Sequence, residues 1–168
     1  MRVLALDSSV HDGSAAVLTT TDSDASLIAA PVSAASIAGS IIEQVGDPSR
    51  PHAERLPGDL LHLLTTAGMT FADIDLFAVG SGPGSFTGLR IGIAAIQGLA
   101  MVGRRPVVAV SLLDALGQMA ASTATPGTRI GVWIDAYRHE VFSALYTVTG
   151  APAFTDARLE TTDAARVG

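Results

Sequence analysis

The sequence predicts an α/β protein in which a mixed β-sheet is layered with helices on both faces and followed by the start of a second, related unit. Three observations carry that prediction. Val3–Leu6 and Leu76–Val79 are short, continuous apolar runs of the kind that form buried strands. Between them Leu56, Leu60, Leu63, Leu64 and Ala67 recur at helical spacing. Finally, Arg129-Ile-Gly-Val-Trp-Ile-Asp135 repeats the order of Arg2-Val-Leu-Ala-Leu-Asp7: a basic residue, an apolar strand and an aspartate.

The elements follow in order. Val3–Leu6 ends at Asp7 as a central strand, Ser8 to Gly13 is a turn, and Ser14–Thr19 is a second strand. Leu27 to Ala35 reads as a third strand, with Pro31 placing it at an edge. Gly46 to Pro51 is a loop, and His52 to Gly68 is a helix stopped by its terminal glycine. Pro57 removes one backbone bond there, which predicts a kink or a late start. Thr70 with Asp73 caps a short turn before the fourth strand, Leu76–Val79. A glycine-rich loop, a helix to about Gly103 and a fifth strand, Pro106–Val110, come next. Ser111 and Asp114 fit a capping box for a helix reaching about Ala121. Ser122 to Thr128 is small, polar and proline-bearing, which separates a domain over 1–124 from a second over 125–168. In the second, a strand from Arg129 to Asp135 and another from Val141 to Val148 form a hairpin, and the remaining residues are too few to complete a second copy. Three strands followed by alternating helices and strands, with an aspartate closing strand one and a duplication, match the actin-like ATPase and ribonuclease-H-like architecture.

Composition narrows the chemistry. Of 168 residues 48% are hydrophobic, enough for a sizeable core. There are no cysteines, so disulfides and thiolate chemistry are excluded, and all ten basic residues are arginine, so no lysine can act. A net charge of −6 argues against gripping RNA or DNA alone, because phosphate neutralisation supplies most of that affinity. The N-terminal apolar run is too short for a signal-peptide core, and the longest helical apolar stretch contains Arg90 and Gln97, so no membrane span is read. A cytoplasmic protein is expected.

Gly80-Ser-Gly-Pro-Gly-Ser-Phe-Thr-Gly-Leu-Arg90 is the most distinctive segment. A strand, a glycine-rich turn and a helix N-terminus form a ready anion site, because free N–H groups point outward there. Gly82, Pro83, Gly84, Ser85, Thr87 and Arg90 are therefore candidate nucleotide contacts. The loop is neither a dinucleotide fingerprint nor a P-loop, since its third glycine is misplaced and a GK[ST] ending is missing. Gly88, Gly92 and Gly98 cost the following helix roughly 3 kcal/mol relative to alanine. Gly84, Gly88 and Gly92 also share one helix face, which predicts a close contact with another helix, in the fold or in a partner. Asp7 could hold a nucleotide's magnesium, although an aspartate often closes a strand by accepting turn N–H groups. His11, His52, His62 and His139 have no i, i+4 pairing, so no metal site is expected.

His52-Ala-Glu-Arg-Leu56, Ala78-Val-Gly-Ser-Gly-Pro-Gly-Ser-Phe-Thr-Gly-Leu-Arg-Ile-Gly92 and Val132-Trp-Ile-Asp-Ala136 resemble the bacterial TsaB (YeaZ) family over residues 1 to about 150. The resemblance implies an actin-like fold and a non-catalytic subunit for making threonylcarbamoyladenosine at position 37 of tRNA. It further implies a heterodimer with the catalytic paralogue TsaD, cooperation with the ATPase TsaE, and a homodimer where TsaD is missing. Transfer RNA would be met only indirectly, through the complex. TsaD carries metal-binding histidines that have no match here at Ala53–Pro57 or Ser111–Leu116. The interface it implies falls on His52, Glu54, Arg55, Leu56, Leu60 and Leu63 of one helix, and on Phe86, Gly88, Leu89, Gly92 and Ile93 of another. It implies no cofactor of the chain's own and allows ATP or ADP at the subunit interface. Family members are usually longer, so the second half is expected to be incomplete. The alternative is an ATP-hydrolysing or peptidase-like enzyme of the same superfold, using Asp7 and the glycine loop.

Overall fold

The structure is a computed structural model, and it describes residues 1–20, 39–137, 140–149 and 159–167. They form two compact units that divide between Val110 and Ser111.

The first unit is built on a five-stranded mixed sheet of order β3-β2-β1-β4-β5. Its strands are β1 (Arg2–Asp7), β2 (Ser14–Thr20), β3 (Gly39–Val45), β4 (Leu76–Gly82) and β5 (Val107–Ser111). β1 pairs antiparallel with β2, Leu4 opposite Val17, and parallel with β4, Leu4 opposite Phe77. The parallel pairing requires a crossover, and α1 (His52–Thr66) lies in it. Leu4, Leu6, Val17, Phe77 and Val79 share one sheet face through the period of two. Leu56, Leu60, Leu63 and Leu64 of α1, with Ile96 and Ala100 of α2 (Phe86–Gly103), close the core over that face. α2 is long and apolar enough to cross a membrane, but its buried stripe packs on β4 and β1 as a sheet-covering helix does.

α1 begins at His52 and runs through Pro57, so the late start that proline predicts does not occur. The Asp73 carboxylate accepts from the Thr70 N–H at 2.9 Å and the Thr70 hydroxyl at 2.8 Å, giving the expected cap before a short 3-10 turn. The strand expected over Leu27–Ala35 lies outside the described residues, and the third strand of the sheet is Gly39–Val45, immediately before the loop.

The second unit is an antiparallel sheet of order β6-β7-β8, with α3 (Leu112–Ala121) packed on it. β6 (Arg129–Tyr137) and β7 (Glu140–Val148) form the expected hairpin, with Trp133 opposite Ser143. β8 (Leu159–Val167) adds a third strand that the sequence did not predict. The repeat therefore extends to a three-stranded meander: β6-β7-β8 follows the antiparallel order of β1-β2-β3. Ile130, Val132, Ala144, Tyr146 and Val148 form the core beside Ala121.

Candidate functional site

The glycine loop is tied down from within the first unit. β4 ends at Gly82 with φ 103°, a left-handed value suited to glycine, and a cis bond leads to Pro83. The Ser85 N–H donates to the Ser9 carbonyl at 2.7 Å, and the Ser85 hydroxyl caps α2 by accepting from the Gly88 N–H at 3.2 Å. Two donors that could have faced an anion are thus used internally. Phe86 and Thr87 emerge on the surface, and the Arg90 guanidinium stands 5.2 Å from the centre of the Phe86 ring.

Behind the loop, the predicted close approach of Gly84, Gly88 and Gly92 is present, but it is made with a turn and not with a helix. A Cβ on Gly84 would come 2.5 Å from the Ser9 Cβ, one on Gly88 would overlap the Ser8 carbonyl oxygen, and one on Gly92 would overlap the Ser8 hydroxyl. That buried hydroxyl donates to the Gly88 carbonyl at 2.8 Å. The stripe lets α2 descend onto the end of β1, so Gly88 and Gly92 face the interior.

The start of α1 is equally committed. Arg55, only 5% exposed, pairs with Asp59 at 2.6 Å, donates to the carbonyls of His11 and Asp12, and lies 2.9 Å from His52 Nδ1. His52 Nε2 meets the Val10 carbonyl at 2.9 Å. Leu56, Leu60 and Leu63 belong to the core. Asp7 closes β1 by accepting from the Ser9 N–H at 2.9 Å and the Ser9 hydroxyl at 3.0 Å. Its carboxylate thereby shapes the turn, as aspartate at a strand end commonly does.

Of the interface residues expected from the resemblance, Glu54 and Phe86 are exposed, and His52, Leu89 and Ile93 are half-buried. Arg55, Leu56, Leu60, Leu63, Gly88 and Gly92 are buried. Sequence reasoning missed the residues that do face outward beside them. Leu61 is 56% exposed and Met101 80%, beside the expected Phe86 at 74%, and Gly58 and Gly98 have open space where a side chain would stand. Leu61 departs from the leucine spacing of the core stripe, and that departure was the available signal. Arg90, Ala94, Gln97 and Met101 continue from Phe86 along one side of α2, while Glu54, Gly58, Leu61 and Thr65 do so on α1. Small residues and large apolar ones on two neighbouring helices make a surface that another helix can approach closely.

The 3-2-1-4-5 order, with an antiparallel second strand and a repeated meander, defines an actin-like, ribonuclease-H-like α/β protein. Residues 44–165 match the family described as "TsaD: tRNA N6-adenosine threonylcarbamoyltransferase". The chain belongs to that family. It is 42% identical to the tRNA threonylcarbamoyladenosine biosynthesis protein TsaB of Escherichia coli over 97 residues, 58% of this chain and 42% of that one. It is 34% identical to a tRNA N6-adenosine threonylcarbamoyltransferase of Gluconobacter oxydans over 116 residues, 67% of this chain and 30% of that one. The matches span less than half the length of these curated relatives. A solved Pseudomonas aeruginosa protein, described as similar to peptidase YEAZ, superposes with a TM-score of 0.74 at 32% identity, over 99% of this chain and 66% of that one.

Proposed function

We propose that the chain acts in tRNA threonylcarbamoyladenosine biosynthesis as a non-catalytic subunit that binds TsaD through the outward faces of α1 and α2. The observation that carries the reading is that large apolar side chains, Leu61 on α1 and Phe86 and Met101 on α2, stand exposed on two adjacent helices of a chain similar to TsaB. The groups that an enzyme would use point the same way: the Asp7 carboxylate is engaged by Ser9, the Ser85 N–H by the Ser9 carbonyl and the Gly88 N–H by the Ser85 hydroxyl. We assign the chain no cofactor of its own. ATP or ADP would sit at the assembled interface, TsaE would join there, tRNA would be met through the complex, and the assembly would work in the cytoplasm. In the absence of TsaD the same face would pair with a second copy. Mixing the chain with TsaD from the same organism should give one heterodimer peak in size-exclusion chromatography and restore tRNA modification in a strain lacking this subunit. Two separate peaks, with modification still absent, would overturn the reading.

A further inference from the structure

We infer that the C-terminal tip of α2, with Arg104 and Arg105, is a basic rim of the docking face and seats against a carboxylate-bearing surface of the protein partner. That partner is TsaD, so the assignment rests on the function proposed above and deepens it. Met101 is 80% exposed and Val102 86%, and every residue from Met101 to Val107 is exposed. Met101 ends the line that begins at Phe86, which makes the tip continuous with the face of α1 and α2. Arg104 and Arg105 follow directly. Arginine beside methionine and other large apolar side chains is a composition that protein interfaces favour.

The two guanidiniums are firmly placed but have little to bind inside the fold. The Arg104 N–H donates to the Met101 carbonyl at 3.3 Å and the Arg105 N–H to the Ala100 carbonyl at 2.9 Å, so a closed turn fixes both residues on the helix end. Arg104 has φ 50°, the one left-handed value at a non-glycine among the described residues. A helix end usually gives that position to glycine, and Gly103 stands one place too early to fill it. A cationic side chain is thus kept despite backbone strain, and among the described residues its guanidinium makes no hydrogen bond or ion pair. Arg105 reaches only the Ala72 carbonyl, at 3.5 Å. The carboxylates of that neighbouring turn are already engaged. Asp73 accepts from Thr70 and pairs with Arg2 at 3.2 Å, and Asp75 accepts from the Arg2 N–H at 2.8 Å. Two positive charges therefore face outward on a chain of net charge −6, and complementarity calls for carboxylates opposite them. RNA phosphate would attract them too. Two arginines neutralise few phosphates, however, and Met101 and Val102 offer bases no aromatic surface to stack on.

The test is stopped-flow association of the chain with TsaD at about 50 mM and about 500 mM salt, which screens charges beyond a few ångströms. The double variant Arg104→Asn/Arg105→Gln removes both charges, and asparagine tolerates the left-handed backbone. Its association should be roughly fivefold slower at low salt, with the difference closing at high salt and dissociation nearly unchanged. Phe86→Ala should instead speed dissociation. Parent and double variant associating equally fast, with a complex still formed, would overturn the basic rim and leave the proposed function standing. A lower thermal midpoint with equally slow binding at both salt concentrations would make the arginines structural and reject the rim. Unchanged TsaD kinetics with weaker tRNA retention by the assembled complex would reject it in favour of phosphate. No complex with the parent chain would overturn both the rim and the proposed function.

Discussion

At the scale of single residues, the glycines of α2 divide into two kinds that substitution should separate by sign. Gly88 sits where a Cβ would overlap the Ser8 carbonyl oxygen, and backbone cannot yield as a flexible side-chain end can. Gly88→Ala should therefore lower stability by about 1–3 kcal/mol, the usual cost of overpacking, despite the helix propensity it gains. Gly58 and Gly98 have no atom within 4 Å of such a Cβ, so Gly58→Ala and Gly98→Ala should each raise stability by up to about 1 kcal/mol. Urea midpoints measure all three, and a neutral Gly88→Ala would show that α2 can retreat from β1. The spacing of Gly84, Gly88 and Gly92 made a close approach legible in the sequence. Its partner was not, because Ser8 and Ser9 lie some eighty positions away and carry no signal that a tight turn will meet a helix there. A second residue-scale expectation concerns Asp7. Its two bonds to Ser9 predict that Asp7→Ala costs about 1–2 kcal/mol in the same measurement, as loss of a helix cap does.

At the scale of elements, strongly periodic segments were readable and weakly patterned ones were not. α1 and β4 show clean leucine spacing or an unbroken apolar run, and both lie close to where the sequence places them. β3 breaks the rule that apolar residues point inward: Ile41 and Val45 are 67% and 68% exposed, while Gln44 is half-buried on the opposite face. Its identity as a strand comes from pairing with β2, which no local pattern announces. β8, Leu-Glu-Thr-Thr-Asp-Ala-Ala-Arg-Val, is likewise made by its neighbour, β7. At the start of α3 the expected capping box is half formed. The Ser111 hydroxyl accepts from the Asp114 N–H at 3.3 Å, but the Asp114 carboxylate turns away to accept from the buried Tyr146 hydroxyl at 2.6 Å. Burial, and then the adjacent carboxylate, push the Tyr146 phenol far above its ordinary value. The folded state thus binds that proton more tightly than the unfolded chain does. The stability it contributes is complete below about pH 10 and declines as pH rises beyond that. Alkaline titration followed by circular dichroism should show this decline, and Tyr146→Phe should remove it while costing about 1 kcal/mol near neutral pH.

At the scale of the whole molecule, composition and motif were informative in different ways. The acidic balance and the lack of lysine and cysteine excluded whole classes of chemistry before any fold was known, and the motifs at His52–Leu56 and Ala78–Gly92 pointed to the family. They could not say which side of each helix faces outward, so the interface drawn from resemblance mixed core residues with surface ones. The leucine spacing of α1 already marks Leu56, Leu60 and Leu63 as one buried stripe, and the structure places them in the core. Phe86, by contrast, stands clear of the fold at the head of the line that runs along α2. This separation yields a paired prediction for a binding subunit. Phe86→Asp should leave the thermal midpoint within the roughly ±0.5 kcal/mol expected of a surface change, yet weaken binding to TsaD by about 2 kcal/mol or more, as loss of an aromatic anchor does. Leu60→Ala should do the reverse, costing about 2–5 kcal/mol of stability through the cavity it leaves. Under conditions where that variant remains folded, its affinity for TsaD should be unchanged. Calorimetric titration alongside thermal melts distinguishes the two. Equal loss of affinity in both, or none in Phe86→Asp, would place the binding surface on some face other than that of α1 and α2.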